Sequence, residues 1–173
     1  MKKNLFLLFL SLSIGQGVFA EEVKKSSAKQ LFHFGLGPVW FNNFGVTSAG
    51  YGLQGGQNFE VEFGQAFLDM NAAIHEKGVG SLGGHIGLNY YKELNKTVNF
   101  FGGAKGGLSY LYSKQHNNSF SFTMGLQSGI RFFPKSDIHI DLSANYIAFV
   151  NAEGSSTPSE FYLNLTLSSP WKV

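Results

Sequence analysis

The chain has 173 residues, of which 43% are hydrophobic and only 14% charged, with a formal net charge of +2 and no cysteine. That length suits one domain, the lack of cysteine excludes a disulfide framework, and the weak charge argues against nucleic acid as a partner. Charged residues fall well below the roughly 25% of soluble domains, while glycine (22) and phenylalanine (18) are abundant.

Lys2 and Lys3 open the chain, Leu5 to Leu12 are mostly apolar, and Val18-Phe19-Ala20 places small residues where a signal peptidase reads. Residues 1–20 are therefore expected to be a secretory signal peptide, cleaved after Ala20. Residues 21–30 are polar and charged and are expected to form a flexible leader. Residues 31–173 then form one domain. No stretch of it is apolar for long enough to make a transmembrane helix.

From Leu31 to Ser168 large apolar residues alternate with small or polar ones. Phe59-Glu60-Val61-Glu62-Phe63 shows the pattern plainly. Strand side chains alternate faces with period two, so the pattern predicts two-faced strands. Eight are predicted, at 31–41, 47–63, 66–76, 80–91, 97–112, 119–133, 137–149 and 160–168. Turn chemistry separates them, including Gly64-Gln65, Glu93-Leu94-Asn95 and Pro134-Lys135-Ser136. A two-residue turn at Gly64-Gln65 would pair Phe63 with Ala66. Gly55-Gly56 is expected to carry a bulge or a three-residue loop. A two-residue hairpin there would turn Glu60 and Glu62 to the apolar side.

The apolar face carries residues such as Phe34, Leu36, Tyr51, Phe59, Leu88, Leu108, Phe122, Leu126, Leu142 and Leu165, and no charge. The other face carries many small groups, among them Gly35, Gly52, Gly87, Gly103, Gly129, Ser109, Ser128 and Ser143. The interior of an eight-stranded barrel only just accommodates side chains, so the small face suits the lumen and the bulky face suits lipid. Aromatics gather toward the strand ends: Phe32, Phe63, Tyr90, Phe100 and Phe132 at one rim, and Trp40, Tyr110, Phe120, Tyr146 and Phe161 at the other. Two such girdles are expected of outer-membrane barrels. The fold class read from these features is all-β: an eight-stranded, antiparallel, up-and-down transmembrane β-barrel. The competing fold is a soluble, lipocalin-like ligand-binding barrel.

The leader, the eight alternating segments and the Gly/aromatic run Phe100-Phe101-Gly102-Gly103-Ala104-Lys105-Gly106-Gly107 resemble the small outer-membrane β-barrel proteins of the OmpA/OmpX-like group. The resemblance is one of architecture and spans roughly Leu31 to Ser168. It implies location in a Gram-negative outer membrane, termini and the turns at Gly64, Glu93 and Pro134 in the periplasm, and the remaining loops outside. It also implies lipopolysaccharide and phospholipid as surroundings, the outer-membrane assembly machinery as a partner, and a monomeric state. Members usually end on an aromatic residue, whereas this chain ends Pro170-Trp171-Lys172-Val173, so Trp171 or the end of the last strand would serve.

The inward parity places Glu60, Glu62, Asp69, Arg131, His139 and Asp141 in one half of the lumen, with His85 and Lys105 nearer the middle. Buried charges must be paired or solvated, so these eight residues are expected to form a polar plug that fixes the barrel. A narrow ion pathway is the sharper alternative. His33, His75, His85 and His139 share the inward parity but lack a short ligand spacing, and neither a metal nor a cofactor is expected. Some barrels of this size modify lipid A, using Ser, His and a carboxylate. His116, Ser119, Glu153 and Glu160 near the outer rim are the residues available for such chemistry. Catalysis is not expected, and a structural, scaffold role in the bilayer is the favoured reading.

Overall fold

The computed structural model describes residues 30–43, 46–61, 64–76, 78–113, 118–150 and 158–170. The expected signal peptide, most of the leader, Glu62, Phe63, His116, Glu153 and Trp171 lie outside the described residues.

Eight strands follow in chain order: β1 (Gln30–Asn43), β2 (Val46–Val61), β3 (Gly64–His75), β4 (Val79–Asn95), β5 (Val98–Ser113), β6 (Ser119–Phe132), β7 (His139–Val150) and β8 (Ser159–Ser169). Each pairs antiparallel with the next, and β8 closes on β1 through pairs such as Leu36 with Leu165. Closure leaves no open sheet edge around the wall. The expected eight-stranded up-and-down barrel is the fold of this chain. The end holding Gln30 and Ser169 is called the near end below, and the opposite end the far end.

Alternation sorts most side chains; Gln57 and Phe59 are exceptions, sharing the outward parity of Tyr51 and Leu53 yet lying buried, contrary to the expectation for Phe59. Tyr51 (81% exposed), Ile74 (77%) and Leu126 (65%) stand on the outside, whereas Leu31, Val39 and Phe149 are wholly enclosed. Ring pairs mark the far rim on the outer face: Trp40 with Phe161 at 5.8 Å and Tyr110 with Phe120 at 4.8 Å. Among the described strand residues, Lys92 is the one charged side chain of outward parity. It is exposed and lies on β4 past Tyr90, the last β4 residue paired with β3.

Several local expectations are corrected. In the hairpin between β2 and β3, Val61 faces Gly64 and Phe59, rather than Phe63, faces Ala66. Gly64 and Gln65 are thus the first residues of β3 and not a turn. Strand β2 runs through Gly55 and Gly56 with unbroken pairing on both sides, so neither bulge nor loop forms there. Glu93-Leu94-Asn95 belongs to β4, where an irregularity falls between Glu93 and Asn95, and the turn is carried by Lys96 and Thr97. Strand β7 begins at His139, two residues later than expected, after a turn closed by the Ser136 amide donating to the Phe133 carbonyl at 3.0 Å. Ser128 is exposed on the outer face, opposite Gly102 and Ala144, because it shares the even parity of Leu126 and Ile130.

The lumen also holds large rings that the small-residue reading of its wall did not anticipate. Phe41, Phe67, Phe101, Phe149 and Tyr162 are buried inside. Glycine across the strand makes the space. Gly87 faces Phe67 and Gly129 faces Phe101, and a methyl group at either position would run into the ring.

Candidate functional site

The interior is layered from the far end to the near end. Beneath the far rim lies an apolar layer of Val39, Phe41, Ala73, Ile147 and Phe149 with the Tyr162 ring, supported by Val79 and Leu111. Phe41 and Phe149 meet edge to face at 6.2 Å. These residues alternate with outward ones on β1, β3, β7 and β8, so the strand period itself points them inward.

At the same height a chain of buried polar groups interleaves with this layer, Glu160 standing beside Phe41 and Ile147. His75 Nε2 lies 3.0 Å from Glu160 Oε1, and both side chains are fully buried. The Tyr162 hydroxyl donates to Glu160 Oε2, and Asn71 Nδ2 donates to that hydroxyl at 2.8 Å. Phe41 packs on the His75 ring at 5.4 Å.

The middle layer is built around Asp69. His33 Nε2 approaches Asp69 Oδ1 to 2.8 Å without hydrogen-bond alignment. Gln54 Nε2 donates to Asp69 Oδ2 at 2.6 Å, and Asn164 Nδ2 donates to Gln54 Oε1 at 2.6 Å. His85 faces Asp69 across β3 and β4, and both its ring nitrogens lack a hydrogen-bond partner. Lys105 Nζ donates to Asn145 Oδ1 at 3.1 Å. A cavity of about 30 Å³, lined in part by His33, Gln65, Asp69 and Asp141, lies in this region. It has room for a water or so, and the unpartnered nitrogens and oxygens around it are of the kind that internal water satisfies.

The near-end layer centres on Arg131. Its Nε and one terminal nitrogen donate to the two Asp141 oxygens at 2.8 and 2.7 Å, a bidentate pairing of the strong kind. The guanidinium stands 4.8 Å over the Tyr91 ring and reaches Gln65 Oε1 at 3.4 Å. The Tyr91 hydroxyl donates to the same Gln65 oxygen at 2.7 Å. Gln127 Nε2 donates to Asn89 Oδ1 at 2.6 Å, and His139 Nε2 lies 2.7 Å from the Ser136 carbonyl. Glu60 stands opposite Gln65, half-buried at the mouth.

Of the eight residues expected in the lumen, Asp69, His85, Lys105, Arg131, His139 and Asp141 are buried inside, and Glu60 lines the near-end mouth. Direct contact joins only Arg131 with Asp141. Asp69 is paired with His33, and Lys105 with Asn145. The uncharged members were missed. Gln54, Gln65, Asn71, Asn89, Gln127, Asn145 and Asn164 carry much of the hydrogen bonding, and each shares the inward parity of its strand.

Glu160 does not face a lipid or a loop as the enzymatic alternative required. It points inward and is held by His75 and Tyr162. Among the described residues, every histidine faces the lumen, and no three His, Asp or Glu side chains converge on a metal position.

No family model and no curated protein matches the chain. Solved structures do. Neisserial surface protein A (NspA) superposes with a TM-score of 0.73 at 11% identity, covering 82% of this chain and 97% of that one. The outer membrane enzyme PagL superposes with a TM-score of 0.55 at 14% identity, covering 82% of this chain and 99% of that one. At such identities the likeness is one of fold: the eight-stranded outer-membrane barrel.

Proposed function

We propose that this chain, which has the fold of the small eight-stranded outer-membrane barrels, is exported by its signal peptide to the outer membrane of a Gram-negative cell. There it serves as a closed, non-catalytic scaffold embedded among lipopolysaccharide and phospholipid. One observation carries the reading. The outer wall is a continuous belt of exposed large apolar side chains, from Phe34 and Leu36 round to Leu163 and Leu165, with its single strand charge, Lys92, beyond the belt. Such a surface, with nearly all the described charged groups of the strands inside, is built for hydrocarbon.

The alternatives fit less well. A lipocalin-like carrier needs an enclosed apolar cavity of several hundred Å³, whereas the middle of this lumen holds a space of about 30 Å³ among hydrogen-bonded side chains, and the larger space of about 340 Å³ lies at the mouth beside Glu60, Asn99 and Arg131. An ion pathway must be polar from end to end, and the Val39–Phe41–Phe149 layer interrupts it. A lipid A hydrolase needs a nucleophile beside a base at the lipid face, and the described histidines all point the other way.

Membrane fractionation with heat-modifiable gel mobility tests the reading. The protein is expected in the outer-membrane fraction and should migrate differently before and after boiling. A polypeptide that stays monomeric and folded in buffer without detergent would overturn it. Lipid A mass spectra from cells with and without the protein should be identical; a lost or gained acyl chain would reinstate the enzymatic alternative.

A further inference from the structure

We propose that the near-end mouth of the barrel is a binding site for a small organic cation, a primary ammonium carried on a short alkyl chain. The site is a cavity of about 340 Å³ bounded by Glu60, Val61, Gly64, Tyr90, Tyr91, Asn99, Arg131 and Pro134. That volume falls within the range of small-molecule pockets. This proposal is independent of the scaffold role and rests only on the folded barrel.

Charge accounting identifies the ligand class. Among the described residues, the wall carries two ionisable side chains of opposite charge, Glu60 and Arg131. Arg131 is spoken for: Asp141 neutralises it through two bonds, and Gln65 and the Tyr91 ring hold its remaining surface. An anion entering the cavity would meet a guanidinium already paired. Glu60 differs, because it forms no hydrogen bond or ion pair with another described residue. Among the described residues, the mouth therefore presents one carboxylate with no direct hydrogen-bond or ion-pair partner, with Arg131 acting on it only through space.

The neutral lining points the same way. Asn99 Oδ1 is buried and has no hydrogen-bond partner. Register places Asn99 directly opposite Arg131 on β5 and β6, on the inward side. An unmet carbonyl oxygen and an unmet carboxylate in one cavity form an acceptor-only pair, and the three N–H bonds of an ammonium complete it. A buried acceptor left alone is costly, so a donor arriving there gains more than one on an open surface. Pro134, with the rim residues Val61 and Tyr90, borders the mouth and offers apolar surface for methylene groups.

The test is an NMR titration of the full mature chain, folded in detergent micelles, with 1,4-diaminobutane. Butane-1,4-diol serves as the uncharged control and sodium chloride matches the ionic strength. Saturable amide shifts at Glu60, Tyr91 and Asn99 are expected with the diamine and not with the diol. Glu60→Gln should weaken the apparent affinity about tenfold, the loss of one charged hydrogen bond. Should Glu60→Gln lose its heat-modifiable mobility, Asn99→Leu replaces it and should also weaken binding. A parallel titration with Nα-acetyl-lysine amide distinguishes a free amine from a polypeptide side chain as the source of the ammonium. The proposal fails if no shift saturates, if the diol acts like the diamine, or if the variants bind unchanged. It fails equally if the shifts gather at the exposed Glu76 and Glu93.

Discussion

Arg131 and Asp141 are direct cross-strand neighbours on β6 and β7 and meet through two bonds of 2.8 and 2.7 Å, with both side chains nearly fully buried. Cross-strand placement fixes their separation through the sheet ladder, so little rearrangement is open to either group if the other is removed.

Arg131→Ala should therefore destabilise the barrel by about 3–5 kcal/mol, because Asp141 is left charged and unpaired in a closed interior. Replacing both residues with methionine should recover most of that loss. Reversible urea unfolding in phospholipid vesicles, followed by tryptophan fluorescence, measures both. A double variant no better than the single one would show that the loss comes from the missing pair itself and not from a stranded Asp141 charge.

The lipid-facing wall should respond quite differently. Leu126 is 65% exposed on the outer face near the middle of β6. Leu126→Arg should cost about 2–4 kcal/mol in a bilayer. Lys92→Leu, on the β4 extension, should stay within about 0.5 kcal/mol. Equal effects at the two positions would contradict the placement of the apolar belt in hydrocarbon.

Glycine substitutions probe the lumen packing. A methyl group at Gly52 would come within 2.8 and 3.0 Å of two Tyr162 ring carbons, whereas at Gly55 the nearest atom lies 3.6 Å away. Gly52→Ala should cost about 1–3 kcal/mol through overpacking, and Gly55→Ala should be nearly silent. The same unfolding assay separates them.

The far-end layer gives a prediction in which stability and conductance part company. Phe149→Ala should lose about 3–5 kcal/mol, since a wholly enclosed ring is removed. It should still pass no current in planar bilayers, because the Asp69 and Arg131 layers continue to fill the lumen toward the near end. Discrete channel steps in the unaltered protein would overturn the closed-lumen reading altogether.

Much of the fold was legible because one period governs the whole chain. Parity alone sorted Tyr51, Leu126 and Leu165 outward and Asp69, His85 and Arg131 inward. The errors have the same origin. Parity is indifferent to any even slip, so Phe63 opposite Ala66 and Phe59 opposite Ala66 keep identical faces, and only the turn distinguishes them. Turn composition then misled, since Gly64 serves β3 as a close-packing residue against the Asn89 backbone rather than as a corner. The inward rings were missed for another reason. Phe67 and Phe101 sit at inward parity, but bulk suggested lipid, and the glycines that admit them belong to neighbouring strands. The individual lumen contacts depend on which side chains reach across the lumen, such as His75 to Glu160, and no spacing along the chain encodes that.

The apolar layer under one rim and the polar mouth at the other make the barrel a cul-de-sac. Whatever enters between Glu60 and Arg131 has no exit past Phe41 and Phe149 and must leave by the door it came through. On the closed-scaffold reading proposed above, a molecule held there samples the solution on a single side of the wall and is not passed through it.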